Sequence, residues 1–167
     1  MQPGQRSEYL YSFVVAAIRH RGTHLPHLTD STWEELILWA SQRRLLGRDP
    51  LIRGVGLLWD DPTRTHPDVR RYDCAIPIDA EDADLVDTPV IVLRTLPFEY
   101  LVVRHHGPYD EMMRTYDDTL GRQLAFAGLA MVSAPIIEIY RNSPAEVESG
   151  DLVTDIHIPV VQTGTPA

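Results

Sequence analysis

The alternation of apolar and polar positions predicts a strand, a helix and two more strands in the first half of the chain. Residues 9–18 form an apolar, β-rich run that is too short to cross a bilayer, so we interpret it as a strand. Apolar side chains then recur with the period of an amphipathic helix, at Trp33, Leu36, Ile37 and Ala40. Segments 51–59 and 70–78 are β-rich and complete this half as two strands.

The second half shows the same order of elements. An apolar run at 100–103 predicts its first strand, and segments 135–141 and 153–159 predict the two closing strands. The helix between them is predicted from apolar positions with the same period, at Met112, Met113, Tyr116, Leu120 and Leu124.

Residues typical of helix ends accompany both helical segments. Ser31 and Glu34 have the spacing of a capping box, which predicts that the first helix begins there. Gly47 and Pro50 are expected to stop that helix, and Gly128 is expected to stop the second.

Short motifs recur in the same order in the two halves. Arg19-His20-Arg21-Gly22 is matched by Arg104-His105-His106-Gly107, Asp60-Asp61-Pro62 by Asn142-Ser143-Pro144, and Ile76-Pro77-Ile78 by Ile158-Pro159-Val160. We therefore predict one α+β domain over residues 1–167, built from a duplicated β-α-β-β unit. Its halves are 10–79 and 90–161, and the acidic segment 79–89 is expected to be a solvated linker.

Composition and cysteine content are those of a globular domain in a reducing compartment. The chain has 167 residues, of which 44% are hydrophobic and 23% charged, so a single core can form without metals or disulfides. Cys74 is the only cysteine, and its apolar strand predicts a buried, inert thiol. Basic residues follow the apolar run 9–18 in place of a cleavage site, so we expect a cytoplasmic protein without a membrane anchor.

Charge and missing residue types exclude several function classes. A net charge of −9 disfavours direct binding to nucleic acid. The absence of lysine rules out Schiff-base chemistry and a P-loop, and hydrolase-elbow and dinucleotide motifs are also missing, so no cofactor is predicted. His24-Leu25-Pro26-His27 has no obvious third ligand and the rings of His105 and His106 alternate across a strand, so no metal site is predicted.

The ordered motifs resemble those of the GyrI-like (gyrase-inhibitor-like) family, over roughly residues 10–161. The second half carries RHHGPYDEMMRTYDDTL, PIIEIYRNSP and IHIPV, and the first half carries GVGLLWDDP and RRYDCAIPI. This family includes the effector-binding domains of AraC-type and MerR-type multidrug regulators. The resemblance implies a curved antiparallel sheet with both helices on one face and a ligand cleft between the halves. Only about ten residues precede the first predicted strand, so we expect a standalone module without a helix-turn-helix.

Glu138 is the first candidate for the site. It lies in Ile136-Ile137-Glu138-Ile139-Tyr140, on a strand that is apolar on both faces, where an unpaired carboxylate would be costly. Its partner is either an arginine or a tyrosine hydroxyl, as in a structural pair, or a bound cation. The resemblance favours the cation, because Glu138 matches the acidic residue at the floor of the family's drug cleft.

Two neighbours of Glu138 are also candidates. Alternation places Tyr140 on the same face, where its ring could stack on a ligand and its hydroxyl could bond to the carboxylate. Alignment of the halves sets Gly56 opposite Glu138 and Gly54 opposite Ile136. The two glycines predict either a groove beside Glu138 or a bulge or close backbone packing.

Further aromatic residues are expected to form cleft walls. The family pattern places an aromatic residue at Tyr109, where the strand meets the second helix. Trp59, Tyr72, Trp39 and Tyr116 are wall candidates that could equally belong to the core, and Trp33 is assigned to the core.

Three functional hypotheses follow. The leading one is a binding module for lipophilic cationic or polyaromatic small molecules, and no residue is firmly assigned to catalysis. The second is a hydrolase that uses Glu138 and Tyr140 on strained cyclopropane-type compounds, as some relatives do. The third is a protein-partner role, either with DNA gyrase, which the founding member inhibits, or with a separate DNA-binding regulator.

Overall fold

The computed structural model describes residues 5–22 and 26–163, and within them it contains nine strands. The strands are β1 (Gln5–Leu10), β2 (Val14–Arg21), β3 (Gly54–Leu58), β4 (Arg71–Ile78), β5 (Ile91–Arg94), β6 (Phe98–His106), β7 (Leu129–Met131), β8 (Ile136–Tyr140) and β9 (Val153–Gln162). Helix α1 is Pro26–Gln42, with side chains described from Thr29 onward. Helix α2 (Met112–Asp118) continues through a π-helical turn (Thr119–Gln123) into a last α-helical turn (Leu124–Phe126).

The predicted duplication is present in the element order. β2-α1-β3-β4 is repeated as β6-α2-β8-β9, and the strands join one antiparallel sheet in the order β1-β6-β9-β8-β3-β4-β2-β5, with β7 on β9. The two halves meet at the central pair β3 and β8. Both helices pack on one face of this sheet, where Leu36 and Ala40 of α1 and Tyr116 of α2 share a core with strand residues. The predicted α+β architecture is therefore confirmed.

The sheet is strongly curved because two short connections join its opposite ends. β1 and β2 lie six strand spacings apart in the sheet order, about 29 Å if the sheet were flat. The chain from Leu10 to Val14 can span only about 14 Å. The connection from β5 to β6 is equally short and also joins strands six spacings apart. It contacts the connection from β1 to β2 at Phe13, whose backbone N–H donates to Thr95 Oγ1 at 2.9 Å. The sheet must therefore curl until its ends meet.

This curl buries a second apolar cluster on the face that carries no helix. Its fully buried members come from strands of both halves, Val15, Ala17, Val55, Ala75, Tyr100, Val102 and Ile137. The same face holds two buried aspartates at equivalent positions of the repeat. Asp73 accepts two hydrogen bonds from Arg19, and Asp155 accepts two from Arg104.

The structure corrects two predictions in the N-terminal part of the chain. Segment 9–18 is not one strand: it contains the end of β1, the connection 11–13 that crosses between the ends of the sheet, and the start of β2. α1 begins at Pro26, so Ser31 lies in its second turn and is not a capping residue. Proline favours the first helical position because its missing N–H would have no partner there.

The predicted end of the second helical segment agrees with the structure, whereas α1 ends at Gln42, before Gly47 and Pro50. Gly128 follows the last helical turn with a φ of +66°, a left-handed conformation that glycine adopts without strain. Segment 79–89 is largely exposed but ordered, with a 3₁₀ turn at Ala80–Leu85 whose Asp82 lies 3.0 Å from Arg48. Across the described part of the chain, no helix is both long and apolar enough to span a membrane.

Candidate functional site

A cavity of about 280 Å³ opens between the two helices, above the central strands. One wall is the N-terminal part of α1, and the other is the turn Tyr109–Glu111 with the start of α2. Its floor is formed by side chains that β4 and β8 present to this face, Tyr72, Glu138 and Tyr140. The duplication therefore creates the cavity, because each half supplies one helix and part of the floor.

Glu138 lies at the floor with 1% of its surface exposed. Three tyrosine hydroxyls donate to its carboxylate. Tyr72 donates to Oε2 at 2.8 Å, Tyr140 donates to Oε2 at 2.6 Å, and Tyr116 donates to Oε1. The Tyr72 and Tyr140 hydroxyls also lie 2.6 Å from each other.

The cluster of Glu138 and its three tyrosines joins three different elements. Tyr72 comes from β4, Tyr140 from β8 and Tyr116 from α2. Burial, followed by the nearby Glu138 charge, raises the pKa of all three phenols well above its usual value. They therefore keep their protons and act as donors.

Gly56 makes room for this cluster. It pairs directly with Glu138 across the β3–β8 ladder. A Cβ atom there would lie 2.1 Å from the Tyr72 hydroxyl and 2.6 Å from Glu138 Oε2. At Gly56 the structure has neither an open groove nor a bulge, because the side chains of Tyr72 and Glu138 fill the space above it. Gly54 borders the cavity itself, under the ring of Trp33.

Three aromatic rings line the cavity next to the carboxylate. Tyr140 is contacted edge to face by Trp33, with ring centres 5.7 Å apart, and by Tyr109, at 5.2 Å. Burial, with a smaller effect of the Glu138 charge, raises the pKa of Tyr109 to about 12. Trp33, which was assigned to the core, packs against the core from a half-buried position, and its ring also lines the cavity. A helical period identifies the inward face of α1, and at Trp33 part of that face borders the cleft.

Two of the predicted wall residues lie elsewhere. Trp59 points to the helix-free face, since Gly54, Gly56 and Leu58 occupy the other side of the alternation, and its Nε1 donates to Asp73 at 2.6 Å. Trp39 packs near the C-terminal end of α1, and its Nε1 donates to Asp87 at 2.7 Å. The structure brings neither indole to the cavity.

The cavity carries negative charge. Asp30 and Glu34 of α1 join Glu138 on its lining, and Arg53 is the one basic side chain among the described lining residues. Arg53 is already paired, because its Nε donates to Glu146 at 2.7 Å. Aromatic rings around an excess of carboxylates form a site suited to an organic cation.

Other candidate chemistries have little support in the described residues. Residues 5–22 and 26–163 hold no group of three His, Cys, Asp or Glu placed to bind a metal, while His24 and the side chain of His27 lie outside the described residues. The Nδ1 of His105 lies 3.0 Å from Thr115 Oγ1. Burial raises the pKa of the Cys74 thiol, which keeps it protonated.

One family model matches most of the chain. The family model described as the GyrI-like small molecule binding domain matches residues 6–161. The probable transcriptional regulator YgiV of Escherichia coli (strain K12) is 28% identical over 155 residues, which cover 89% of this chain and 91% of YgiV.

Solved structures share the fold at low identity. The C-terminal domain of EcmrR is 16% identical with a TM-score of 0.70, covering 95% of this chain and 97% of that domain. SAV2435 bound to tetraphenylphosphonium is 16% identical with a TM-score of 0.65, covering 94% of this chain and 93% of SAV2435.

Proposed function

The chain belongs to the GyrI-like small-molecule-binding family, and we propose that its cleft binds lipophilic organic cations with Glu138 as the counter-charge. One observation carries this proposal: a carboxylate with 1% exposure lies below aromatic rings and has only hydroxyl partners among the described residues. A bound cation would supply the opposite charge, and the rings of Trp33, Tyr109 and Tyr140 would contact its apolar groups.

The family relatives support a sensing role for this binding. YgiV is described as a probable transcriptional regulator, and SAV2435 was solved with tetraphenylphosphonium, a lipophilic cation. We infer that this chain acts as the ligand-binding unit read by a separate DNA-binding regulator. We further propose that residues 1–167 form one domain, in which halves 10–79 and 90–161 share a single cleft.

Replacing Glu138 by glutamine tests the charge selectivity. Glutamine keeps the shape of the side chain but removes its charge, and its Nε2 donates where a carboxylate oxygen accepts. We expect the affinity for tetraphenylphosphonium to fall by at least about tenfold, or about 1.4 kcal/mol, while affinity for neutral triphenylphosphine oxide changes little. Isothermal titration calorimetry of both ligands measures this difference.

Glu81→Gln is the matched control, because it removes the same charge from an exposed turn outside the cleft. It should bind both ligands as the wild type does. Equal affinity of Glu138→Gln and the wild type for tetraphenylphosphonium would refute the proposal. Mass spectrometry of the recovered ligand should show an unchanged mass. A cyclopropane-bearing ligand recovered one water heavier would instead show that the protein is a hydrolase.

Replacing Trp33 by leucine tests the aromatic wall. The indole contacts Tyr140 at the cavity and packs over Gly54, so its loss removes stacking area without changing charge. We expect about a tenfold weaker affinity for both the cationic and the neutral ligand, because aromatic contacts contribute about 0.5–1.5 kcal/mol beyond area burial. Fluorescence titration with an aromatic dye measures the affinity of the variant. If both the cationic and the neutral ligand bind to Trp33→Leu as tightly as to the wild type, Trp33 does not contribute to the site.

A further inference from the structure

Arg53 places a positive charge at the rim of a cavity that is otherwise lined by carboxylates. It lies immediately before β3 and is the one basic side chain among the described lining residues, which also include Asp30, Glu34 and Glu138. Because 40% of its side-chain surface is exposed, Arg53 lies where the cavity opens to solvent. Its guanidinium is always charged in proteins and by itself would repel a cation entering the cleft.

Two acceptors hold the guanidinium of Arg53 in place. Its Nε donates to Glu146 Oε1 at 2.7 Å, and its Nη1 donates to the backbone carbonyl of Pro50 at 2.8 Å. Among residues 5–22 and 26–163, no acceptor lies within hydrogen-bond distance of Nη2. Since Nη2 carries two hydrogens, it can donate to an anionic group of a ligand.

Glu146 reaches Arg53 from a turn of the second half that borders the cavity. Ser143 fixes this turn, because its Oγ donates to Glu146 Oε2 at 3.0 Å and its backbone carbonyl accepts from the Glu146 N–H at 2.9 Å. Ser143 and Pro144 line the cavity, whereas Glu146 is not among its described lining residues. The carboxylate of Glu146 therefore contacts Arg53 and does not border the space that a ligand would fill.

This ion pair determines which charge a ligand meets at the rim. Opposite charges in contact largely cancel each other at the distance of a ligand, so the carboxylates dominate the cavity while the pair is intact. Without Glu146, the guanidinium charge would be uncompensated and only partly screened by solvent. It would then repel cations and attract anions.

We infer that Glu146 is a specificity-determining residue, which lets the cleft accept organic cations and reject organic anions by pairing with Arg53. The inference rests on the proposed function. Glu146 acts through Arg53 and does not touch the ligand. The two residues come from different halves, since Arg53 precedes β3 and Glu146 follows β8. Charge selection at the rim therefore depends on the junction of the halves, as the cavity itself does.

Two ions of the same shape and opposite charge test this inference on Glu146→Gln. Tetraphenylphosphonium is the cation and tetraphenylborate is the anion, so a difference between them reports charge and not fit. We expect the affinity for the cation to fall by about three- to tenfold and the affinity for the anion to rise by a similar factor. Neutral triphenylphosphine oxide should change by less than about twofold.

Removing Arg53 should reverse the effect of removing Glu146. In the double variant Arg53→Gln/Glu146→Gln the uncompensated guanidinium is gone, so the affinity for tetraphenylphosphonium should recover by about three- to tenfold relative to Glu146→Gln. Arg53→Gln alone should bind the cation more tightly than the wild type, because Glu146 then has no positive partner. Glu81→Gln removes a carboxylate far from the rim and should bind both ions as the wild type does.

A merely structural role of the ion pair predicts a different pattern. If Glu146 only held the 143–147 turn in place, its loss would weaken the binding of the cation, the anion and the neutral ligand together. Removing Arg53 as well would then restore nothing. Isothermal titration calorimetry of the full chain at one ionic strength measures the affinities, and thermal unfolding shows that each variant is folded.

The outcomes distinguish the inference from the function on which it rests. Suppose that tetraphenylphosphonium binds in a Glu138-dependent way, but Glu146→Gln shifts both ions in the same direction or shifts neither. The role of Glu146 is then overturned and the binding function stands. If tetraphenylphosphonium does not bind to the wild type at all, the inference and the proposed function fail together.

Discussion

Replacing Asp155 by asparagine is expected to lower the free energy of unfolding by about 3 kcal/mol. The carboxylate is fully buried on the helix-free face, where Arg104 donates to it from Nε at 2.7 Å and from Nη2 at 2.9 Å. Arg141 donates at 2.9 Å and Arg6 at 3.3 Å. An amide accepts fewer of these hydrogen bonds and leaves the guanidinium groups without their counter-charge. Urea unfolding at neutral pH measures the loss.

The effect of Asp155 on stability should depend on pH. Burial alone would raise the pKa of this carboxyl group, but hydrogen bonds and charge from Arg104 and Arg141 outweigh burial and hold the pKa well below its usual range. The stabilisation is therefore complete above the unfolded-state value of about 3.9 and is lost as pH falls towards the lower folded-state value. The wild type and Asp155→Asn should thus converge in stability in strong acid.

Asp117→Asn is a suitable control for this prediction, because Asp117 is an exposed residue on α2. Its stability should lie within about 0.5 kcal/mol of the wild type. A wild-type-like urea midpoint for Asp155→Asn would show that the buried aspartate contributes nothing to the curved sheet.

Replacing Gly56 by alanine is expected to abolish detectable binding of tetraphenylphosphonium and to lower the free energy of unfolding by about 1–3 kcal/mol. The added methyl group would overlap the Tyr72 hydroxyl, at 2.1 Å, and Glu138 Oε2, at 2.6 Å. Relief requires both side chains to move away from the central strands, which breaks the hydrogen bonds at the cavity floor. Calorimetry gives the affinity and thermal unfolding gives the stability.

Two other glycines provide a graded comparison for Gly56→Ala. The methyl group of Gly54→Ala would meet Trp33 at 3.1 Å, so a small shift of that ring should suffice and binding should weaken only modestly. Gly121→Ala has no neighbouring atom within 4 Å and should bind normally. If Gly56→Ala binds as tightly as Gly121→Ala, the hydrogen-bonded cluster is not needed for binding.

The sequence predicted the architecture because its main features are local. Helical periods around Leu36 and Tyr116 and the repeated Pro-bounded strands predict each half, and the ordered motifs predict the duplication. The short strands β1, β5 and β7 were not predicted, since their half-exposed side chains lack an apolar alternation. Their position depends on partners far along the chain, which no local pattern specifies.

The candidate site was predictable only where strand alternation determines it. Alternation placed Tyr140 beside Glu138, and the structure has them in contact. The contacts of Tyr72 and Tyr116 with the same carboxylate depend on how β4 and α2 pack across the sheet, so sequence could offer them only as candidates. Sequence could not distinguish Trp33 from Trp39, although both lie on α1. Trp33 lines the cavity, whereas Trp39 donates to Asp87 of a neighbouring segment.

The connections that curl the sheet also exchange edge strands between the two halves. β1 precedes the first half but pairs with β6 of the second, with Gln5 opposite Val103, while β5 precedes the second half but pairs with β2 of the first. The pairing of β1 with β6 joins residues almost a hundred positions apart, and pairings between such distant parts of a chain are typical of slowly folding sheets. Each half therefore completes an edge of the other, because β1 extends the sheet beside β6 and β5 extends it beside β2.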